Sequence, residues 1–338
     1  MKISDLAALS DTVGHNASFA YNAGFIVVKP TQLSRRVYTT IRKLTTKWSA
    51  IDDQHALNHA VRQLKKEKSG INATLLDIHQ YASGAQYFEN MQRLLPTEDD
   101  TCSSINKINC SVLVLHNNWI VTKEAKIYRF REHFMWLYDG KDQYYSSQTR
   151  KYITYINPKP TSTKLSLADL KRLRERQMSA LRTALTVGYL LNRTLILPRF
   201  YCGTKALQCP LNSIIHIKTF DAYFSGQYRE NSFLQHPQVP DVVKQSLSDQ
   251  PIVSRTTRSV PTYEVDTIYS KDVIRLFRTS KVKVINVGVL DGIQINFIKH
   301  STDTARNEKE KAAFIIYDYR QLTSGGYLWL KSSPKKRT

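Results

Sequence analysis

No run of about 18 consecutive apolar residues occurs in this chain, so it offers no helical membrane span. The first residues, MKISDLAALSDT, hold a single lysine, and Asp5 interrupts their apolar stretch. That is not the build of a signal peptide. A secreted protein is therefore expected only if a longer parent carries an anchor upstream; the chain as written points to the cytoplasm. Cysteine is scarce, with four among 338 residues: Cys102, Cys110, Cys202 and Cys209. Neither close pair has the C-x2-C spacing of a structural zinc site. Acidic residues are few, 28 Asp+Glu against 49 Lys+Arg, which leaves a formal net charge of +21. Such a balance attracts phosphate-bearing partners. No RNA-recognition signature, zinc-finger spacing or basic zipper accompanies it. The clusters Arg62–Lys68, Lys171–Arg176 and the 332–338 tail read as solvated helix faces and a basic end. A specific nucleic-acid partner is not expected, although a basic nucleic-acid-binding protein remains an alternative. Internal repeats and low-complexity segments are also missing.

What is present suits a globular protein: 41% hydrophobic and 10% aromatic residues. The length permits two domains, each with its own core. Phe25–Val28 reads as a strand bounded by Gly24 and Pro30, and Ser34–Lys47 as a helix with Val37, Ile41 and Leu44 on one face. Asp52 or Asp53 can cap the next helix, whose buried stripe is Ala56, Leu57, Ala60, Val61 and Leu64. Ile71–Ile78 reads as extended chain, Ser111–Leu115 as a strand ending at His116, and Lys123–Arg131 as a helix. Residues 139–164 are polar and tyrosine-rich and close with NPKPTSTK, which reads as a linker. Ser166 with Asp169 then opens a long amphipathic helix through a capping-box start. Strands are expected at Thr194–Leu197, Val282–Val289 and Ala313–Tyr317. The whole predicts two α/β units, 1–150 and 165–331, ahead of the 332–338 tail.

Three apolar runs end on polar clusters. YNAGFIVVKPT carries Asn22 and Gly24, IDDQHALN carries Asp52, Asp53, Gln54 and Asn58, and LHNNWIVTKEAK carries His116, Asn117, Asn118 and Lys126. In α/β sheets, groups that bind and react gather at strand ends and helix starts.

In order and spacing these blocks resemble the second half of a nucleotide-diphospho-sugar transferase domain, with the plant-type retaining enzymes of glycosyltransferase family 77 the nearest family. The resemblance runs over roughly residues 15–215. It implies the C-terminal part of a GT-A-like sheet followed by a second α/β unit. It further implies a nucleotide-sugar donor, a glycan or glycoprotein acceptor, and a Golgi-lumen location in a membrane-anchored parent. By residue, Asp53 and Gln54 would lie at the reacting sugar. Asn22, Gly24, Asn58, Asn118 and Lys126 would bind the substrate, and His116 would be a ligand of Mn²⁺ at the diphosphate. Arg129, Arg131 and Trp136 continue the resemblance, and Leu190–Leu211 resembles the start of an accessory domain. Thr122 stands where the family pattern has glycine, and Asn212 where it has aspartate. The family's metal-gripping D-x-D finds no match before Asn22: Asp5 and Asp11 are the only acidic residues there, and neither is expected to follow an apolar strand. A truncated form is therefore expected, with a non-catalytic glycan- or partner-binding relative as the alternative. A lumenal origin would also oxidise Cys202 with Cys209 and Cys102 with Cys110, among the three pairings possible. N-x-S/T sequons occur at Asn16, Asn72, Asn109 and Asn192.

Overall fold

A computed structural model of the chain describes residues 4–11, 21–48, 50–67, 70–78, 80–85, 87–88, 112–203, 207–209, 211–249, 266–269, 277, 281–290 and 293–296. These residues form two compact units, the first ending at Val121 and the second beginning at Thr122. Both mix helices with strands.

In the first unit, β1 (Leu6–Ser10) lies at the centre of a three-stranded sheet. It pairs antiparallel with β2 (Tyr21–Val28). Following α1 (Gln32–Lys47) and α2 (Asp53–Lys65), β3 (Ala73–Leu75) returns parallel to β1 on its other side. Two short strands, β4 (Tyr81–Ser83) and β5 (Val114–His116), pair in parallel as a separate ladder. Thr31 and Ser34 close a capping box on α1, and Asp52 caps α2 by accepting from the His55 N–H. Every residue of the stripe expected on α2 is buried, and it packs with Leu6, Ala8 and Tyr21 into one core. The sheet corrects one expectation: LAALS is an apolar strand, buried along most of its length, and Asp11 follows it directly.

The second unit begins with α3 (Lys123–Glu132). Its main sheet then takes β6 (Tyr152–Ile156), a long α4 (Leu167–Leu190) and β7 (Thr194–Ile196). An antiparallel hairpin of β8 (Phe200–Cys202) and β9 (Leu207–Cys209) comes next, followed by α5 (Ile217–Phe224), β10 (Tyr228–Arg229), α6 (Asp241–Lys244) and β11 (Leu247–Asp249). β12 (Asp266–Tyr269) pairs in parallel with β14 (Ile293–Asn296), and β13 (Val284–Val289) completes the main sheet. That sheet runs β10-β7-β6-β13-β11, every pair parallel. Ser166 and Asp169 form the expected capping box on α4.

The boundary expected at 139–164 lies inside this unit. Its tyrosines are core: Tyr144, Tyr145 and Tyr152 pack with Ile196, Phe233 and Val284, and β6 is the middle strand. The prolines of NPKPTSTK mark the connection from β6 to α4, not a domain junction. Burial of aromatic bodies with polar tips explains why a polar-looking stretch is interior. The Cys202–Cys209 disulfide spans the β8–β9 hairpin with its Cα atoms 6.1 Å apart, inside the usual range. Cys102, Cys110, Asn16, Asn109, Ala313–Tyr317 and the tail lie outside the described residues. Asn192 has a φ of 51° directly after the last turn of α4, the left-handed place where such helices end.

The second unit also buries charge. Glu132 and Glu230 are both inaccessible to solvent, at 1% and 0% exposure. Tyr128 donates its hydroxyl to Glu132 Oε1 at 3.0 Å, and Tyr144 donates to Glu230 Oε2 at 2.7 Å. The guanidinium carbons of Arg131 and Arg229 lie 3.7 and 3.9 Å from the centre of the Tyr144 ring. Burial pushes the Glu132 carboxyl up to about 8, and it holds the His133 and His236 imidazoles down at about 3 and about 4.

The signs give a pH window. A carboxyl with a raised folded value contributes stability fully below its unfolded value, near 4.5, and loses it as pH climbs to about 8. A histidine kept neutral contributes above its unfolded value, near 6.5, and loses stability as pH falls below it. Below pH 6.5 the two trends oppose each other, whereas between 6.5 and 8 the buried carboxyls act alone, Glu132 together with Glu230, whose pKa burial also raises. Chemical denaturation should therefore show stability declining from pH 6.5 to 8 by about 1 kcal/mol per unit. In Glu132→Gln, which imitates the protonated form, that slope should become shallower; an unchanged slope would assign it to Glu230.

Thr122 supplies the N-cap of α3, accepting from the Ala125 N–H at 3.3 Å, yet its φ is +81° with ψ at 150°. That region is almost reserved for glycine and costs a residue with a Cβ about 1–3 kcal/mol. Glycine at an N-cap forfeits only a few tenths of a kcal/mol. Thr122→Gly should accordingly raise stability by about 1 kcal/mol, read as a melting temperature a few degrees higher. A fall would show that the hydroxyl cap outweighs the backbone strain.

Candidate functional site

The first unit concentrates polar side chains around the end of its central strand. Asp11, one residue beyond β1, accepts three amide donors from three separate segments. Asn22 Nδ2 donates to Oδ1 at 2.8 Å, Asn118 Nδ2 to the same oxygen at 3.3 Å, and Gln54 Nε2 to Oδ2 at 2.6 Å. Three residues picked from separate sequence blocks thus converge on one carboxylate.

Local folding explains each position. Leu9 of β1 pairs with Asn22, but Ala8 pairs with Ile26, so the partner strand advances four residues where β1 advances one. Ala23, Gly24 and Phe25 form the resulting bulge, a device that re-aims side chains near sites. Asn22 and Gly24 therefore lie within the strand instead of before it. The Asn22 side chain closes the bulge by accepting from the Gly24 N–H at 2.7 Å, and the Phe25 ring stacks on Tyr81 of β4 at 5.8 Å. Gln54 occupies the first turn of α2, where the Asp52 cap fixes the direction of the chain. Asn118 follows β5 and accepts from the Gly84 N–H at 2.7 Å, which ties it to the end of β4.

His116 is the last residue of β5 and pairs in register with Ser83. Its imidazole lies against the bare Cα of Gly24. A Cβ built there would stand 2.7 Å from Cδ2 and closer still to Nε2 and Cε1. Glycine is required at this position by approach distance, with no demand on φ.

The other expected residues take different places. Asn58 is buried and engaged with the backbone: it accepts from the Tyr21 N–H at 2.8 Å and donates to the Tyr21 carbonyl at 2.7 Å and to the Gln54 carbonyl at 2.8 Å. It fastens β2 to α2, which positions Asn22 and Gln54. Asp53 is exposed in the first turn of α2, its Oδ1 accepting from the Gln54 N–H at 2.8 Å. Its neighbour Asp52 pairs with His55 at 2.8 Å, a surface contact whose hydrogen bonds lower the Asp52 pKa. Lys126 is exposed on α3, in the second unit. Asp11 itself escaped the sequence reading because LAALS is short and its alternation gives no strand signal. Three amide-bearing residues, each at an element's end, were the available clue that a carboxylate should stand among them.

No three of His, Cys, Asp and Glu stand together as a metal site among the described residues. Both oxygens of Asp11 are engaged by amides. No described helix is long and apolar enough to cross a membrane.

Residues 4–130 match the family model described as nucleotide-diphospho-sugar transferase, and this stretch contains the whole cluster around Asp11. Among curated proteins, Arabinosyltransferase XEG113 of Arabidopsis thaliana is 25% identical over 274 residues, covering 68% of this chain and 40% of that protein. The chain thus spans about two fifths of the length of this relative. No solved structure matches.

Gly24→Ala should destabilise the first unit by about 1–3 kcal/mol, since the imidazole must leave its place. Adding His116→Ala should cancel much of that loss, a coupling that a double-mutant cycle on urea midpoints measures. Additive losses would place the clash elsewhere.

Proposed function

We propose that the first unit binds a nucleotide-diphospho-sugar and that the protein transfers the sugar to a glycan or glycoprotein acceptor. The observation that carries this reading is Asp11 held by Asn22, Gln54 and Asn118 within the family-matched stretch. Such transfer breaks the bond from the anomeric carbon to the diphosphate oxygen and forms one to an acceptor oxygen. The acceptor proton passes to a base, and the nucleoside diphosphate leaves. Positive charge develops on the sugar ring in the transition state, and a fixed, preorganised carboxylate stabilises it. An amide NH2 carries two hydrogens. Asp11 takes one from Asn22 and one from Gln54; the second of each can point to a sugar hydroxyl.

Asp53 near the reacting carbon and Lys126 toward the diphosphate remain part of the proposal. A Mn²⁺ would neutralise the leaving diphosphate, but His116 is the one ligand proposed for it, and no step here is routed through the metal. A Golgi-lumen location belongs to the same reading. The name of the Arabidopsis relative makes a nucleotide-linked arabinose the first donor to try.

With UDP-arabinose and a glycan acceptor, the protein should release UDP. Asp11→Asn and Gln54→Ala should each slow that release by about 100-fold or more, with melting temperatures changed by only a few degrees. Release indifferent to both substitutions removes the cluster from the chemistry. Binding of UDP with no turnover would favour a non-catalytic relative.

A further inference from the structure

The main sheet of the second unit is parallel throughout, and its strands occur across it in the chain order third, second, first, fifth, fourth. The first and last of the five strands in the chain, β6 and β13, lie side by side. In open parallel sheets, ligands bind beyond the carboxyl ends of the strands. β13 also bulges there, its register against β6 shifting between Asn286 and Val289, with Gly288 at a φ of 75°.

The groups beyond these strand ends are polar and deeply buried. Asn157 follows β6 at 5% exposure; its Nδ2 donates to the Arg199 carbonyl, beyond β7, at 2.8 Å, while its Oδ1 has no partner among the described residues. Glu230 and Ser232 follow β10 at 0% and 1% exposure, and among the described residues Glu230 Oε1 and Ser232 Oγ have no partner either. From the end of α3, Glu132 adds an unpartnered Oε2 and lies within electrostatic reach of both Glu230 and Arg199. Each such atom costs about 1–3 kcal/mol when left unsatisfied in the interior.

We propose that the carboxyl ends of β6, β7 and β10 form a second ligand site, which takes a neutral glycosyl unit held by Asn157, Ser232, Glu132 and Glu230. The chemistry selects the class. Asn157 Oδ1 only accepts hydrogen bonds, whereas a serine hydroxyl both donates and accepts. A phosphate presents acceptors alone and cannot satisfy Asn157 Oδ1. An ammonium presents donors on one centre, whereas these atoms come from two strand ends and a helix. A sugar ring carries several hydroxyls, each both donor and acceptor, spread over the distance between neighbouring elements. The site shares no residue with the cluster around Asp11 and stands whether or not that cluster performs transfer.

The test is saturation-transfer NMR on the full chain with arabinotetraose, xylotetraose and galactotetraose, and with UDP and MnCl2 in separate arms. At least one tetraose should bind saturably. Ser232→Ala and Glu230→Gln should weaken that binding about tenfold or more, and Asp11→Asn should leave it unchanged. Ser232 Oγ has no partner among the described residues, so its removal leaves the fold intact even if Glu230→Gln unfolds the unit. Failure of all three tetraoses to bind overturns the proposal. So does binding indifferent to Ser232→Ala, or lost with Asp11→Asn. Loss of UDP or Mn²⁺ binding in Ser232→Ala, without saccharide binding, would assign the site to that ligand instead.

Discussion

The first unit depends on one carboxylate. Asp11 draws together a strand bulge, a helix start and the chain beyond another strand by accepting an amide from each. Without it, Asn22, Gln54 and Asn118 would have no common partner, and the segments carrying them would lose their mutual reference. Charge-assisted hydrogen bonds are stronger than neutral ones, and several on one anion fix its surroundings. The remaining devices serve the same arrangement. Asn58 clamps β2 to α2 through both backbone groups of Tyr21, and the bare Cα of Gly24 admits the His116 ring.

The second unit is organised by a different constraint. A parallel sheet must be covered on both faces, and α4, the longest helix described, supplies much of that cover with the buried side chains of Leu173, Met178, Leu181 and Leu185. The tyrosine-rich stretch before β6 completes the interior and brings Glu132 and Glu230 in with it. Desolvation raises the pKa of both carboxyls. Arginines over the Tyr144 ring and tyrosine hydroxyls offset part of that cost.

Much of the fold was legible because its signals are local. The stripe on α2, a cap at Asp52 or Asp53 and the Ser166–Asp169 capping box follow from spacing a few residues apart. The misread boundary at 139–164 shows the limit of composition: prolines, serines and tyrosines mark a loop before a helix as readily as a linker, and only packing tells which. LAALS failed for another reason, since five residues carry too few repeats to show a period. Asn22 and Gly24 were placed before their strand because a bulge leaves no trace in hydrophobic alternation.

By itself, the sequence determined which residues carry amides, imidazole and carboxylates, and which of them terminate helices and strands. Helical period and capping act within a few residues, so the chain states them directly. Only the tertiary structure decided that Asp11 is the common partner, that Asn58 serves the backbone, and that Glu132 meets Glu230 across nearly a hundred residues. Those outcomes depend on strand pairing and register, where partners distant in the chain are chosen by burial and by hydrogen bonds that no local spacing encodes.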